Sequence, residues 1–97
     1  MRLIWTRPAR NDRNAIREYI GADNPRAALA LDELIAEKAG YLVRHPQLGR
    51  PGRVDNTREL VVHRNYILVY DLAGDSVRVL RVLHAARQWP PATKSKG

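Results

Sequence analysis

The hydrophobic periodicity changes once along the chain, from a helical repeat in the first half to a strand repeat in the second. Apolar residues recur every three or four positions between Pro25 and Leu42. Three later segments instead alternate apolar and polar residues: "TRELVV", "YILVYDL" and "SVRVLRVL". The links between them, "HRN" and "AGD", are short enough for hairpin turns. The second half therefore predicts three strands that pair antiparallel in sequence order.

Cap residues delimit two helices before these strands. Thr6 is predicted to cap the first helix, which runs to about Ile20, and Gly21 to end it in a left-handed conformation. Its expected buried face carries Ile16, Tyr19 and Ile20. Asn24 and Pro25 begin the second helix, which His45-Pro46 stops because the residue before a proline avoids helical geometry. The expected core positions of this helix are Ala28, Leu31, Ile35, Ala39 and Leu42.

A further strand, "RLIWT", precedes the helices and is predicted to lie beside the last strand. That last strand is apolar on both faces, as expected of a strand with a neighbour on each side. The fold class is therefore α+β, in the order β-α-α-β-β-β. We expect a helical hairpin packed on one face of a small antiparallel sheet.

Length and composition limit the number of domains and the cellular compartments that fit this chain. The 97 residues fit one domain, which we place at 1–90, followed by a flexible basic tail at 91–97. The chain has no cysteine, too short an apolar run at its start for a signal peptide, and no stretch approaching a membrane span. These features favour a cytoplasmic protein.

The charge is basic and unevenly distributed. The net charge is +7, and arginines outnumber lysines by 14 to 3. Residues 44–97 carry ten basic and four acidic side chains, whereas residues 1–43 are nearly balanced. Arginine pairs bidentately with both carboxylate and phosphate, so the expected partner is an acidic protein or a nucleic acid.

The last strand suggests a binding surface, because the helices can cover only one face of the sheet. Val77, Val79, Arg81 and Leu83 alternate onto one side of this strand. We expect the uncovered face to present apolar and arginine side chains to a partner's amphipathic segment, since monomers rarely expose contiguous apolar area. The alternative is that each arginine only extends past core methyl groups to water.

The segment after this strand, "HAARQWP", allows either chemistry or contact. His84 can move a proton near neutral pH, and Arg58 and Arg87 can stabilise developing phosphate charge, so these three residues form a candidate nuclease set. No carboxylate or tyrosine clearly completes that set. On the other interpretation, Arg58, Arg81, His84, Arg87 and Trp89 form a contact surface. The residues therefore favour a protein that is not an enzyme and leave a nuclease as the alternative.

No metal or cofactor is expected. His45 and His63 lie far from His84 in sequence and lack the spacing of a metal site. The segment "GRPGR" has no strand before it or helix after it, so it does not predict a phosphate-binding loop.

Nearly the whole chain resembles the RelE/ParE superfamily of toxins from type II toxin-antitoxin modules. The resemblance is carried by "RLIWTRPARNDRNAIREYI", "HPQLGRPGR", "TRELVVHRNYILVYDL" and "VRVLRVLHAARQWP". The pieces "RELV", "YILVY" and "VLHAARQWP" look most like the ParE branch. The resemblance implies the same β-α-α-β-β-β fold, and it implies an acidic antitoxin as a partner, for which Val77, Val79, Arg81 and Leu83 are the candidate contacts.

The superfamily contains two mechanisms, and this sequence departs from one of them. RelE-like toxins cut messenger RNA on the ribosome with basic strand residues and a tyrosine or histidine near the C-terminus. Here Leu60, Ile67 and Trp89 stand where basic residues or a tyrosine are expected. The ParE-like branch resembles an inhibitor of DNA gyrase that acts by binding. We therefore expect a gyrase-directed toxin, with Arg58, Arg81, His84, Arg87 and Trp89 on its target-binding surface, and keep the RelE-like endoribonuclease as the alternative.

Overall fold

Two helices and five strands make up the described chain, which covers residues 1–86 and residue 89 of the computed structural model. Neither helix is long and apolar enough to cross a membrane within this described part. The elements are β1 (Arg2–Trp5), α1 (Arg7–Gly21), α2 (Pro25–Tyr41), β2 (Arg50–Pro51), β3 (Arg58–His63), β4 (Tyr66–Ala73) and β5 (Ser76–His84).

The strands form one sheet in the order β1-β5-β4-β3-β2. The predicted antiparallel meander of β3, β4 and β5 is confirmed, as is the position of β1 beside β5. The prediction of a wholly antiparallel sheet is wrong, because β1 runs parallel to β5 from the pair Arg2 and Ser76 to the pair Trp5 and Val79. Both helices and the strands from β2 to β4 lie between β1 and β5 in sequence. A connection of that length permits the two strands to run parallel. The two-residue β2 at the other edge was not predicted.

The predicted caps begin both helices. The Thr6 hydroxyl accepts a hydrogen bond from the Ala9 amide at 3.3 Å, and Asn24 Oδ1 accepts one from the Ala27 amide at 3.0 Å. The end of α1 differs from the prediction, since among the described residues only Asn56 and Gly74 have positive φ angles. Gly21 is helical because the following amides, up to Asn24, donate back to the carbonyls of residues 18 and 20. The link therefore turns directly into α2.

The core lies between α2 and the central strands. All five positions predicted from the α2 periodicity are buried: Ala28, Leu31, Ile35, Ala39 and Leu42. Leu68, Tyr70, Val77 and Val79 face them from the sheet. The helix itself ends at Tyr41, and turns carry the chain on to His45. The sequence therefore predicted this half of the core correctly.

The inner face of α1 differs from the prediction. Ala9 is buried, Ile16 and Ile20 are half-buried, and Tyr19 is 80% exposed. Ile16 and Ile20 pack at the edge of the core and, with Tyr19, border an open cleft. The prediction that Tyr19 belongs to the core is therefore wrong.

Tyr70 fixes the loop after α2 to the sheet. Its hydroxyl donates to the Pro46 carbonyl at 2.7 Å and accepts from the Gly49 amide at 2.9 Å. Burial raises the pKa of Tyr70 more than the bond from Gly49 lowers it, so the phenol stays protonated. A Cβ at Gly49 would lie 2.8 Å from the Tyr70 hydroxyl and 2.9 Å from the Glu59 carbonyl. The loop path therefore requires glycine at position 49.

We predict opposite effects for two glycine-to-alanine substitutions. Gly49→Ala should lower the free energy of unfolding by at least about 1 kcal/mol, because the new methyl group displaces the Tyr70 hydroxyl. Gly40→Ala is the matched control. A Cβ there meets nothing within 4 Å, so the substitution should stabilise α2 by roughly 0.5–1 kcal/mol. Thermal unfolding measures both, and an unchanged or higher Tm for Gly49→Ala would contradict the packing described.

Candidate functional site

An apolar cleft of about 660 Å³ opens between the helical hairpin and the end of the sheet. The second half of α1 and the start of α2 form one wall, and the turn between β3 and β4 with the end of β5 forms the other. It is lined by Asp12, Ala15, Ile16, Tyr19, Ile20, Ala27, Leu31, His63, Asn65, Tyr66, Val82 and His84. Its residues are mostly apolar and its rim is aromatic, so it is suited to receive side chains of a partner.

Three rings from neighbouring strands form the rim. The register places Tyr66 opposite both His63 and His84. The Tyr66 ring centroid lies 5.3 Å from that of His84 and 6.3 Å from that of His63. Each histidine accepts a hydrogen bond on Nδ1 from the backbone amide two residues later, at 3.4 Å for His63 and 3.1 Å for His84. These bonds fix both imidazole rings.

Burial raises the pKa of Tyr66, and the nearby phenol of Tyr19 raises it further. The Tyr66 hydroxyl is therefore protonated at neutral pH and can act as a hydrogen-bond donor. This cluster was not predicted from the sequence, in which His63 and Tyr66 lie far from His84. The two-residue turn at Arg64-Asn65 was the available signal, because it sets His63 opposite Tyr66.

Asp12 forms the inner wall of the cleft at the edge of β5. Its carboxylate accepts two hydrogen bonds from the Arg81 guanidinium, at 2.8 and 3.0 Å, and one from the Val82 amide at 2.9 Å. The hydrogen bond that Arg81 donates to Asp12 raises the pKa of Arg81. Arg81, a predicted contact residue, is therefore committed within the protein, with its guanidinium carbon also 5.8 Å from the Trp89 ring centroid.

The candidate nuclease residues are not brought together. Arg58 lies at the start of β3, in register with Tyr70, whereas His84 pairs with Tyr66. Four residues of β4 separate those positions, which is about 13 Å along the strand. Arg58 donates instead to the Gly49 carbonyl at 2.7 Å and to Gln47 Oε1 at 2.8 Å. Arg58 and His84 of the candidate nuclease set are therefore not neighbours, and Arg87 lies outside the described residues.

The expected open apolar face is absent from β5. Val77 and Val79 are fully buried beneath the helices, and Leu83 is 2% exposed. A β-bulge at Leu80 interrupts the alternation, so Leu83 pairs with Ile67 on the opposite face of the sheet. The prediction that these three side chains present an exposed surface is therefore wrong.

The sheet face opposite the helices is partly closed by the chain itself. Glu59 is buried there and accepts hydrogen bonds from the Arg53 amide at 3.1 Å and from the Arg50 guanidinium at 3.4 Å. Arg53 also reaches the Trp89 carbonyl at 3.5 Å, and the indole nitrogen of Trp89 is buried. Trp89 therefore contributes to packing on this face.

A second, polar groove of about 580 Å³ lies on α1. We call its lining the arginine face, which consists of Arg7, Arg10, Asn11, Arg13, Asn14 and Arg17. Asp32 of α2 binds Arg13 bidentately, at 2.9 and 2.8 Å, and Arg17 at 2.9 Å. Burial alone would raise the pKa of Asp32, but hydrogen bonds and positive charge from these arginines hold it below its ordinary value.

Comparison with known proteins decides the family. Residues 3–89 match the model of the ParE toxin of the type II toxin-antitoxin system parDE. The chain belongs to this toxin family. It is thus a type II toxin-antitoxin toxin of the RelE/ParE superfamily, as its sequence motifs predicted.

Individual relatives agree with this assignment. A protein of Sinorhizobium fredii named as a toxin, Y4kP, is 40% identical over 92% of this chain and 93% of its own length. Toxin RelE2 of Caulobacter vibrioides is 38% identical over 88% and 96%. A solved structure of the chromosomal ParDE system from P. aeruginosa superposes with a TM-score of 0.79 at 30% identity, covering 87% of this chain and 95% of that one. The α+β fold is confirmed by this likeness.

We predict that the ion pairs of Asp32 with Arg13 and Arg17 stabilise this toxin only at pH values where the Asp32 carboxyl group is ionised. The pKa of Asp32 in the folded protein lies below its unfolded value of about 3.9. Its contribution to the free energy of unfolding is therefore complete above about pH 4. It is lost as the pH falls through the folded pKa. The Tm difference between the parent and Asp32→Asn should therefore be full at pH 7 and shrink towards zero below about pH 4.

The neighbouring Glu33→Gln variant is the control, because Glu33 is exposed and forms no ion pair in the described part of the chain. Its Tm should stay close to that of the parent at every pH. An Asp32→Asn deficit as large at pH 3 as at pH 7 would contradict the role given to the ionised carboxylate.

Proposed function

We propose that this toxin inhibits growth by binding DNA gyrase and that it performs no bond cleavage of its own. Gyrase as the target rests on the resemblance to the ParE branch, and the observation that argues against bond cleavage is the separation of Arg58 from His84 by about 13 Å along the sheet. General acid-base catalysis needs its groups within hydrogen-bond reach of the same reacting atoms. Arg58 donates to the Gly49 carbonyl in the loop after α2, and Arg81 donates to Asp12. Neither guanidinium is therefore available to stabilise phosphate charge beside His84.

The cleft is the proposed site for the cognate antitoxin. An exposed Tyr19 and the half-buried Ile16 and Ile20 offer apolar surface to a partner segment, and the net charge of +7 favours an acidic one. We propose that a C-terminal segment of the antitoxin orders on binding and lays an amphipathic helix or strand along this cleft. Neutralisation then follows from occupation of the rim that contains His84.

Cleavage of messenger RNA is the second candidate, because one observation favours it. The rim places the protonated Tyr66 phenol between two imidazole rings, which is a possible donor and acceptor set without a metal. A nuclease built here would use Tyr66, His63 and His84 in place of the set that the sequence suggested. The two candidates differ in what the Tyr66 hydroxyl does.

We predict that the Tyr66 hydroxyl is dispensable for toxicity. Tyr66→Phe keeps the ring and its packing, so inhibition of gyrase supercoiling and of growth should stay within about fivefold of the parent. His84→Ala truncates a contact and should weaken inhibition by about 5- to 150-fold, the equivalent of about 1–3 kcal/mol. The exposed His45→Ala, remote from the cleft, is the control and should behave as the parent.

Loss of a general acid or base costs a nuclease on the order of 10² to 10⁴ in rate. If Tyr66→Phe loses toxicity on that scale while it remains folded, and the parent cuts transcripts on ribosomes without inhibiting gyrase, the binding proposal is wrong. The nuclease candidate then replaces it.

A further inference from the structure

The arginine face of α1 takes no part in the cleft, and its members Arg7 and Arg10 form no ion pair that holds the described part of the fold together. The opposite side of α1 carries the contacts that hold the helix on the sheet, from Ala9 and Asp12, and the cleft residues Ile16 and Ile20. The members of the arginine face recur every three or four positions, so they share one side of the helix. Arg7, Arg10 and both asparagines are exposed.

Positive charge on this face is only partly neutralised. Asp32 pairs with Arg13 and Arg17, whereas neither Arg7 nor Arg10 forms an ion pair within the described part of the chain. The Arg10 guanidinium donates to the Trp5 carbonyl, at 3.2 Å. Both arginines also lie near the positive end of the helix dipole, and the first turn of α1 has no acidic residue. The local field therefore favours an external anion.

The dimensions of the face match a row of phosphates. Ten residues separate Arg7 from Arg17, which is about 15 Å along the helix axis. Phosphates of one strand of duplex DNA recur about every 3.4 Å of helix axis, so the face spans about four of them. Arginine forks and asparagine amides are donors that proteins use to bind phosphate oxygens.

The composition of the face argues against other occupants. The groove has no aromatic or aliphatic residue in its lining. A single strand is usually held by stacking its bases on aromatic rings, and a protein partner by a buried apolar centre. The groove lining supplies neither feature, whereas a duplex backbone needs only the charged and amide donors that are present.

We infer that the arginine face binds the sugar-phosphate backbone of duplex DNA, without reading its sequence. The choice of DNA over duplex RNA rests on the proposed function, since gyrase acts on DNA. The toxin would then hold gyrase through one surface and its DNA through another. Asp32 serves this face as a positioning residue, because it fixes the guanidinium groups of Arg13 and Arg17.

The test is the salt dependence of DNA binding by the full-length toxin, measured by fluorescence anisotropy with a 20-base-pair duplex. With about three phosphate contacts, affinity should fall about 40-fold between 50 and 200 mM salt. The double variant Arg7→Gln/Arg10→Gln should lose at least tenfold in affinity at 50 mM salt, and its log–log slope should become shallower by about 2. Its Tm should not fall, since both side chains are exposed.

The matched control is Arg2→Gln/Arg26→Gln, which removes the same charge from exposed positions outside the arginine face. It should keep the parent's slope and an affinity within about twofold. An equal loss in this control would show that net charge alone binds DNA and would overturn the inference. Equal or tighter binding of single-stranded DNA, duplex RNA or an oligoglutamate peptide by the parent would overturn it as well.

Supercoiling assays on the same proteins separate this inference from the proposed function. If the parent inhibits gyrase while Arg7→Gln/Arg10→Gln binds duplex DNA as tightly as the parent, the inference fails and the proposed function stands. If the parent binds duplex DNA through this face but leaves gyrase unaffected, the proposed function fails and the DNA site stands.

Discussion

The carboxylate of Asp12 takes the place of a missing strand at the edge of β5. β1 ends at Trp5, and Thr6 makes the last bonds of that edge, to the carbonyls of Val79 and Leu80. Because β1 does not extend beyond this point, no strand of the described chain lies beside the Val82 amide to accept its hydrogen bond, and Val82 is buried from water. The Asp12 carboxylate accepts hydrogen bonds from that amide and from the Arg81 guanidinium. A buried donor left unpaired costs about 1–3 kcal/mol, so this junction holds α1 on the sheet.

Both candidate surfaces depend on the orientation that this junction gives to α1. With Asp12 turned inward, Ile16 and Ile20 lie over the cleft, and the arginine face turns outward to solvent. Acidic side chains elsewhere commit particular arginines to the fold. Asp71 binds Arg78 at 2.6 Å, for example, and the buried Glu59 accepts a hydrogen bond from the Arg50 guanidinium of β2. Positive charge remains available on α1 because Asp12 is bound to Arg81, and Asp32 pairs with Arg13 and Arg17 but not with Arg7 or Arg10.

The sequence predicted both helices, the strands other than β2, the N-terminal caps and the α2 core, because each depends on local periodicity or on one side-chain bond to the backbone. The β-bulge at Leu80 could not be read from periodicity, since an extra residue inverts which side chains face the helices after it. For this reason Val77 and Val79 face the helices and do not share a face with Leu83, although simple alternation predicted that they would. Tyr19 was misplaced for a related reason: an amphipathic pattern shows which side of a helix is apolar but not how far the sheet extends beneath it.

The candidate site was harder to predict than the fold, because it depends on strand register. Tyr66, His63 and His84 are separated in sequence by up to 21 positions and meet only through two hairpin registers. The sequence singled out His84 as a candidate but grouped it with Arg58, which the same registers place about 13 Å away along the strand. Residue type indicated which groups could act, and strand register determined which of them are neighbours.

Amide hydrogen exchange at Val82 tests most directly whether Asp12 completes the sheet edge and thereby orients α1. In the parent this amide should exchange slowly. In Asp12→Ala its exchange should be about 5- to 150-fold faster, beyond any change shared by the amides of the central strand β4. Asp12→Asn keeps an acceptor oxygen and should retain part of the protection. A Val82 amide that exchanges as slowly in Asp12→Ala as in the parent would contradict this account of the junction.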